Sequence, residues 1–181
     1  KVRFVGEPVA LVVAETKTQA LDAAELIDVD YEALPAITTA AAARAAGAPQ
    51  LAVEIPANTC LDWQTGDIAG ANAAFARAVH VVSLALDNHR VVTNPMEPRG
   101  AVGSFDEVTG RYTLHVSSQN IHINRTFVAR SLGVDAKSVR FVAHDVGGGF
   151  GAKNFAYVEH ALMLWAARRT GRAVKWIASR S

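Results

Sequence analysis

Apolar residues recur along this chain with a period of two in some stretches and of three to four in others, and the order of those periods outlines its elements. Val2 to Val5 and Val9 to Ala14 read as strands around a Gly6-Glu7-Pro8 turn. Thr16 followed by Gln19 is a capping-box pattern, opening a helix to about Ile27 with Ala20, Ala23, Ala24 and Ile27 on its apolar side. Val29 to Leu34 returns as a strand that Pro35 ends. Thr38 to Pro49 is alanine-rich and closes on Gly47 and Pro49, as a surface connector would. Gln50 to Gln64 carries Pro56 and no period, which predicts extended loop.

Asp67 reads as the N-cap of a helix through Phe75 to Ala78. His80 to Val92 reads as a long strand, with Val82, Leu84 and Leu86 on one face. Ala101 to Asp106, a Glu107-Val108-Thr109-Gly110 turn and Arg111 to Ser117 predict a hairpin. In its second strand Tyr112, Leu114 and Val116 share one face, and Thr113, His115, Ser117 and Gln119 share the other. Gln119 therefore falls at the carboxyl end of a strand, the edge where open α/β sheets hold ligands. Ile121 to Leu132 predicts a helix stopped by Gly133. Val139 to Val146 is a strand-length run, followed by Gly147-Gly148-Gly149-Phe150-Gly151-Ala152-Lys153. Phe155, Val158, Leu162 and Trp165 then repeat at helical spacing, and Ala173 to Ala178 reads as a last strand.

Composition narrows the function classes. Half of the 181 residues are apolar, enough to bury a core. A net charge of +1 from 18 basic and 17 acidic residues makes no electrostatic case for nucleic acid or an anionic membrane. No apolar run approaches the roughly 20 residues of a membrane helix. The single Cys60 rules out an internal disulfide or an iron–sulfur cluster held by this chain alone, and reads as a small buried hydrophobe near a linker.

The glycine loop is the main candidate for chemistry. Four glycines within five positions, between a strand and a helix, leave main-chain N–H groups open to an anionic or strongly hydrogen-bonding ligand. A phosphate-binding P-loop fails, because Ala152-Lys153-Asn154 lacks the second glycine and the hydroxyl. A dinucleotide fingerprint is met by Gly147, Gly149 and Ala152. The ribose-binding acid about 20 residues on is absent, but Arg180 could meet a 2′-phosphate, so an NADP site stays open. A tight turn whose glycines serve packing alone, in a non-catalytic scaffold domain, stays open beside it.

Val146 to Lys153 resembles the Gly-Gly-Gly-Phe-Gly-x-Lys loop of the molybdenum hydroxylases, the family of xanthine dehydrogenase, aldehyde oxidase and aerobic carbon monoxide dehydrogenase. Ser117-Ser118-Gln119-Asn120 resembles the family's Ser/Thr-x-Gln-Asn segment, at the family's usual distance before Phe150. Asn94-Pro95-Met96-Glu97-Pro98-Arg99 is similar to the Met-Glu-Pro-Arg stretch of the carbon monoxide dehydrogenase-like branch. Gly6 to Ala10 and Val29 to Pro35 resemble its upstream small domain, and Gly171 to Trp176 the stretch after the loop helix. These blocks run in order over nearly the whole chain.

The resemblance implies an α+β fold: the C-terminal part of a small α/β, hammerhead-like domain (1–38), a connector (39–60) and the first part of a molybdopterin-binding α+β domain (61–181). It implies a fragment of a large subunit, inactive alone, that oxidises an aldehyde, an N-heterocycle or carbon monoxide with water as the oxygen source. Gln119 would donate its amide to an oxygen ligand of molybdenum, with Gly148, Gly149, Phe150 and Gly151 beside the cofactor. A neutral amide suits that role because it supplies a donor without adding charge. The metal would be held by pterin sulfurs, with no ligand from the protein. The pterin would be the cytosine dinucleotide form, and [2Fe-2S] clusters and FAD would lie on an iron–sulfur subunit and a flavin subunit, in a dimer of heterotrimers. A cytoplasmic location is expected. The catalytic glutamate base would lie further along the subunit. Purine-oxidising relatives carry Glu after the loop lysine, so Asn154 points away from a purine.

Other polar residues are read plainly. His115 with His122, or His144 beside Asp145, has no recognised ligand spacing. Glu97 and Arg99 read as a loop ion pair or subunit contact. Lys153 at the start of a helix runs against the dipole, which a bound pterin phosphate or a salt bridge elsewhere would offset.

Overall fold

Among the described residues, alternation of apolar residues becomes a sheet only in the second half of this chain. The computed structural model describes residues 1–89 and 91–180, in two units, Lys1–Asp87 and Asn88–Ser181.

The first unit holds isolated local elements. Helix α1 (Lys17–Glu25) starts where expected: the Thr16 hydroxyl accepts from the Gln19 N–H, and Gln19 Oε1 accepts from the Thr16 N–H. It ends at a Leu26 cap, just short of Ile27. Helix α2 (Ala40–Ala43) is a single turn inside the expected connector. The Asn58 side chain ties that connector together, accepting from Leu51 N at 2.8 Å and donating to the carbonyls of Ala43 and Pro49 at 3.0 Å. Helix α3 (Ile68–Arg77) is capped by Asp67, whose carboxylate accepts from Gly70 N at 2.8 Å.

The strands expected at Val2 to Val5, Val9 to Ala14, Val29 to Leu34 and His80 to Val92 are not formed among the described residues; Arg90 lies outside them. A strand exists only where a neighbour takes its backbone groups, and these segments have no strand partner among the described residues. No described side chain in residues 1–87 is buried, and Val5, Val82 and Leu86 face solvent. Cys60 is exposed too, against the buried position expected of it, because no core forms around it.

The second unit is a four-stranded sheet in the order β3-β2-β1-β4, with β1 (Gly100–Asp106), β2 (Arg111–Val116), β3 (Val139–Val142) and β4 (Val174–Ile177). β1 pairs antiparallel with β2 and β4, and β2 pairs parallel with β3 across helix α4 (Ile121–Leu132). The register sets Gly103 opposite Leu114 and Ala101 opposite Val116, so the predicted apolar face of β2 continues into β1. Tyr112, Leu114, Val116, Val139 and Phe141 are buried under α4 and α5 (Val158–Thr170). Gly133, at φ 69, ends α4 as expected.

Two expectations fail here. β3 stops at Val142 rather than Val146. The buried side of α5 is His160, Met163, Leu164 and Ala167, while Val158 and Trp165 are half-exposed and Phe155 precedes the helix. Leu164 and Ala167 fit against the sheet, whereas Trp165 lies under the Arg169 guanidinium, 5.5 Å away.

Candidate functional site

Strand directions decide what meets at one edge of the sheet. Because β1 runs against β2 and β4 while β2 runs with β3, the start of β1 and the ends of the other three strands share one edge. That edge receives Met96 to Arg99, then Ser117 to Gln119, the glycine loop, and Arg180.

Gln119 and the loop are bound to each other. The Gln119 N–H donates to the Lys153 carbonyl at 2.9 Å, and Gln119 Oε1 accepts from Gly151 N at 3.1 Å and Lys153 N at 3.2 Å. Two donors on the carbonyl end fix the amide orientation, leaving Nε2 with no acceptor among the described residues. Gly149 lies so close that a Cβ there would stand 2.3 Å from the Gln119 amide carbon, an approach only glycine permits. The N–H groups of Gly149 and Phe150 also find no acceptor among the described residues. Phe150 sits at φ 48, in the left-handed region, with its ring exposed and its edge toward Gly148. Such backbone strain in a bulky residue gathers at functional sites. Gly148 and Gly151, both at φ 89, carry the turns around it.

Glu97 stands against the other end of the loop, with its side chain 39% exposed. Its Oε2 accepts from Lys153 Nζ at 2.6 Å, from Gly147 N at 2.9 Å and from the Ser117 hydroxyl. The Lys153 hydrogen bond, and then that of Ser117, hold the Glu97 carboxyl at about 2, well below the usual carboxylate range. The Lys153 side chain is fully buried. Ser118 and Asn124 are buried with it: Asn124 Nδ2 donates to Ser118 Oγ at 3.0 Å, and Ser118 Oγ donates to the Lys153 carbonyl at 3.4 Å. The Tyr157 hydroxyl donates to the Ala152 carbonyl, and the Arg99 guanidinium stacks 3.7 Å over the Tyr157 ring.

Several sequence expectations change in this light. The loop does not open a helix, since α5 begins at Val158, so Lys153 does not face a helix dipole. Its partner is Glu97. Glu97 and Arg99 are not paired with each other; Arg99 meets Glu159 at 3.3 Å. The close neighbours of Gly147 and Gly149 within the protein are the side chains of Glu97 and Gln119. The NADP reading loses its two supports: the Gly147, Gly149, Ala152 pattern lacks a following helix end, and the Arg180 guanidinium donates to the Met96 carbonyl at 2.7 Å.

His115 and His144 stack at 5.9 Å, but no group of three or more His, Cys, Asp or Glu among the described residues could hold a metal. Asn154 is exposed, and its side chain has no partner among the described residues. Two hollows, of about 850 Å³ within residues 1–51 and about 440 Å³ beside Phe127 and Phe155, are not lined by Gln119 or the loop. Ser117, Ser118 and Asn124 were not singled out by their sequence, although the first two belong to the Ser-Ser-Gln-Asn block.

Comparison with known proteins matches this geometry to a family. The molybdopterin cofactor-binding domain profile matches residues 51–181, and the hammerhead domain of aldehyde oxidase and xanthine dehydrogenase matches residues 1–35. The chain is 34% identical to the carbon monoxide dehydrogenase large chain of Hydrogenophaga pseudoflava, over 99% of this chain and 24% of that one. It is 35% identical to the nicotine 6-hydroxylase large subunit of Paenarthrobacter nicotinovorans, over 99% of this chain and 22% of that one. A solved structure, reconstituted CO dehydrogenase from Oligotropha carboxidovorans, superposes with a TM-score of 0.81 at 32% identity, covering 90% of this chain and 22% of that chain. The chain thus spans about a quarter of the length of these relatives. The mixed α+β fold, both domain profiles and relatives aligned along nearly the whole of this chain agree: this chain belongs to the molybdenum hydroxylase family.

Proposed function

We propose that the edge built by Gln119, Gly148, Gly149, Phe150 and Gly151 is part of the molybdopterin cradle of a molybdenum hydroxylase. The observation that carries this reading is the Gln119 amide, anchored through its carbonyl so that Nε2 is left as a neutral donor beside the open N–H groups of Gly149 and Phe150. Uncharged donors on a glycine-lined surface fit a cofactor rich in oxygen and sulfur acceptors. Gln119 would orient the cofactor and the Phe150 ring would cover its side and exclude water. The bound cofactor would supply oxidation of a carbon centre with water as the oxygen source. The glutamate base lies elsewhere on the subunit in this reading.

The intact enzyme would act on an aldehyde, an N-heterocycle or carbon monoxide. It would carry the cytosine dinucleotide form of the pterin and pass electrons to [2Fe-2S] and FAD on partner subunits, as a cytoplasmic dimer of heterotrimers. Residues 1–38, 39–60 and 61–181 would be its hammerhead end, connector and cofactor-domain portion. No described helix is long and apolar enough to cross a membrane. Asn154, exposed next to the loop, would face the substrate side and disfavour a purine; slow turnover of xanthine by the full-length complex is the expected result.

Gln119→Glu in that complex tests the cradle, because it keeps an acceptor for Gly151 and Lys153 while removing the outward donor. Molybdenum and pterin per subunit should fall about tenfold, the size expected when one hydrogen bond to the cofactor is lost. Full cofactor content in the variant would overturn the reading.

A further inference from the structure

Lys153 is the residue through which the two halves of the loop's support meet. Its main chain faces Gln119 and Ser118: the N–H donates to Gln119 Oε1, and the carbonyl accepts from Gln119 N and Ser118 Oγ. Its ammonium faces the other way, onto Glu97 Oε2 at 2.6 Å. Glu97 also holds the opposite end of the loop, accepting from Gly147 N and donating its own N–H to the Gly147 carbonyl at 3.1 Å. One carboxylate thus grips residues 147 and 153 together, and one amide grips 151 and 153.

A fully buried ammonium is a poor way to gain stability. An apolar side chain in place of the ammonium would commonly serve folding as well or better, and Glu97 keeps 39% of its side-chain surface exposed, so the pair is buried at the lysine end alone. An apolar pair could not accept the Gly147 N–H and the Ser117 hydroxyl at the same oxygen, and so could not fix the spacing between the two ends of the loop. Glu97 itself is held from behind, since Pro98 follows it and the Met96 carbonyl is bound by Arg180.

We infer that Glu97 and Lys153 are positioning residues for the cofactor cradle, setting the loop so that the Gln119 carbonyl is captured and its Nε2, with the Gly149 and Phe150 N–H groups, faces outward. This rests on the cradle reading given above. Neither residue touches the cofactor; each acts through the loop.

The test uses the full-length subunit assembled with its partners, in four forms: wild type, Glu97→Gln, Glu97→Gln/Lys153→Met and Gln119→Glu. Amide hydrogen exchange over residues 147–153 should rise about tenfold in Glu97→Gln, as expected when one charge-assisted hydrogen bond is lost from a local opening. Molybdenum and pterin content should fall with it. The double variant removes both charges, so its thermal midpoint should return toward wild type while loop exchange stays fast and cofactor content stays low. Recovery of slow exchange and full cofactor in the double variant would mean the pair only neutralises buried charge, and would overturn the inference. Wild-type exchange in Glu97→Gln would overturn it as well. Full cofactor in Gln119→Glu alone would instead defeat the cradle reading, and the pair would then stand or fall on loop exchange.

Discussion

Val82-Leu84-Leu86 and Tyr112-Leu114-Val116 carry the same alternation of apolar residues, yet Leu84 is 77% exposed and Leu114 is fully buried. The difference lies in what each segment finds to pair with. β2 has β1 and β3 on its two sides and helix α5 on its apolar face, whereas the stretch around Leu84 has no hydrogen-bonded neighbour among the described residues. Alternation states which way side chains point; it does not supply the second strand.

That comparison can be broken by mutation. Leu114→Ala should lower the stability of the sheet by about 2–5 kcal/mol, measured by urea denaturation, since it empties a site with no exposed surface. A loss below about 1 kcal/mol would show that this face is not the core.

Next in size is a pH effect from the same core. Burial pushes His160 down to about 4, and its Nδ1 accepts from Tyr157 N. The unfolded chain binds a proton near the ordinary 6.5 while the folded chain does not until about 4. Stability therefore falls as pH drops from 6.5 to 4, by on the order of 3 kcal/mol. His160→Gln keeps an acceptor for Tyr157 and should flatten that slope in denaturation curves taken across the window. An unchanged slope would place the titrating group elsewhere. The depressed Glu97 acts in a lower window: its contribution is present above about 4.5 and is lost as pH falls toward 2.

The smallest effect belongs to the unpaired stretch. Leu84→Ala in this chain should change stability by less than about 0.5 kcal/mol by the same denaturation. A cost matching that of Leu114→Ala would mean that Leu84 is covered in solution.

Local signals were legible where a few neighbouring residues decide the outcome. Thr16 with Gln19, Asp67, the Glu107 to Gly110 turn and Gly133 act within four residues of themselves, and each sits where its pattern put it. The helix after the loop differs from its pattern because Phe155, Val158 and Trp165 are apolar at the right spacing but exposed, while His160 and Ala167 are buried. Gly149 and Gln119 are both singled out, and the strand–helix–strand order of β2, α4 and β3 is the pattern of a parallel pair, yet the direct contact of amide and glycine depends on side-chain placement that no spacing along the chain encodes. The Glu97–Lys153 pair joins residues 56 positions apart and was hidden for the same reason.

The parallel pair β2–β3 also determines how this architecture can be altered by engineering. Every group of the candidate site leaves the sheet at one rim, so the far rim, with Glu107 to Gly110 and Asp135 to Ser138, is free of it. Peptide tags or extra residues spliced into the exposed 107–110 turn would lengthen the protein without shifting Gln119 against Gly149.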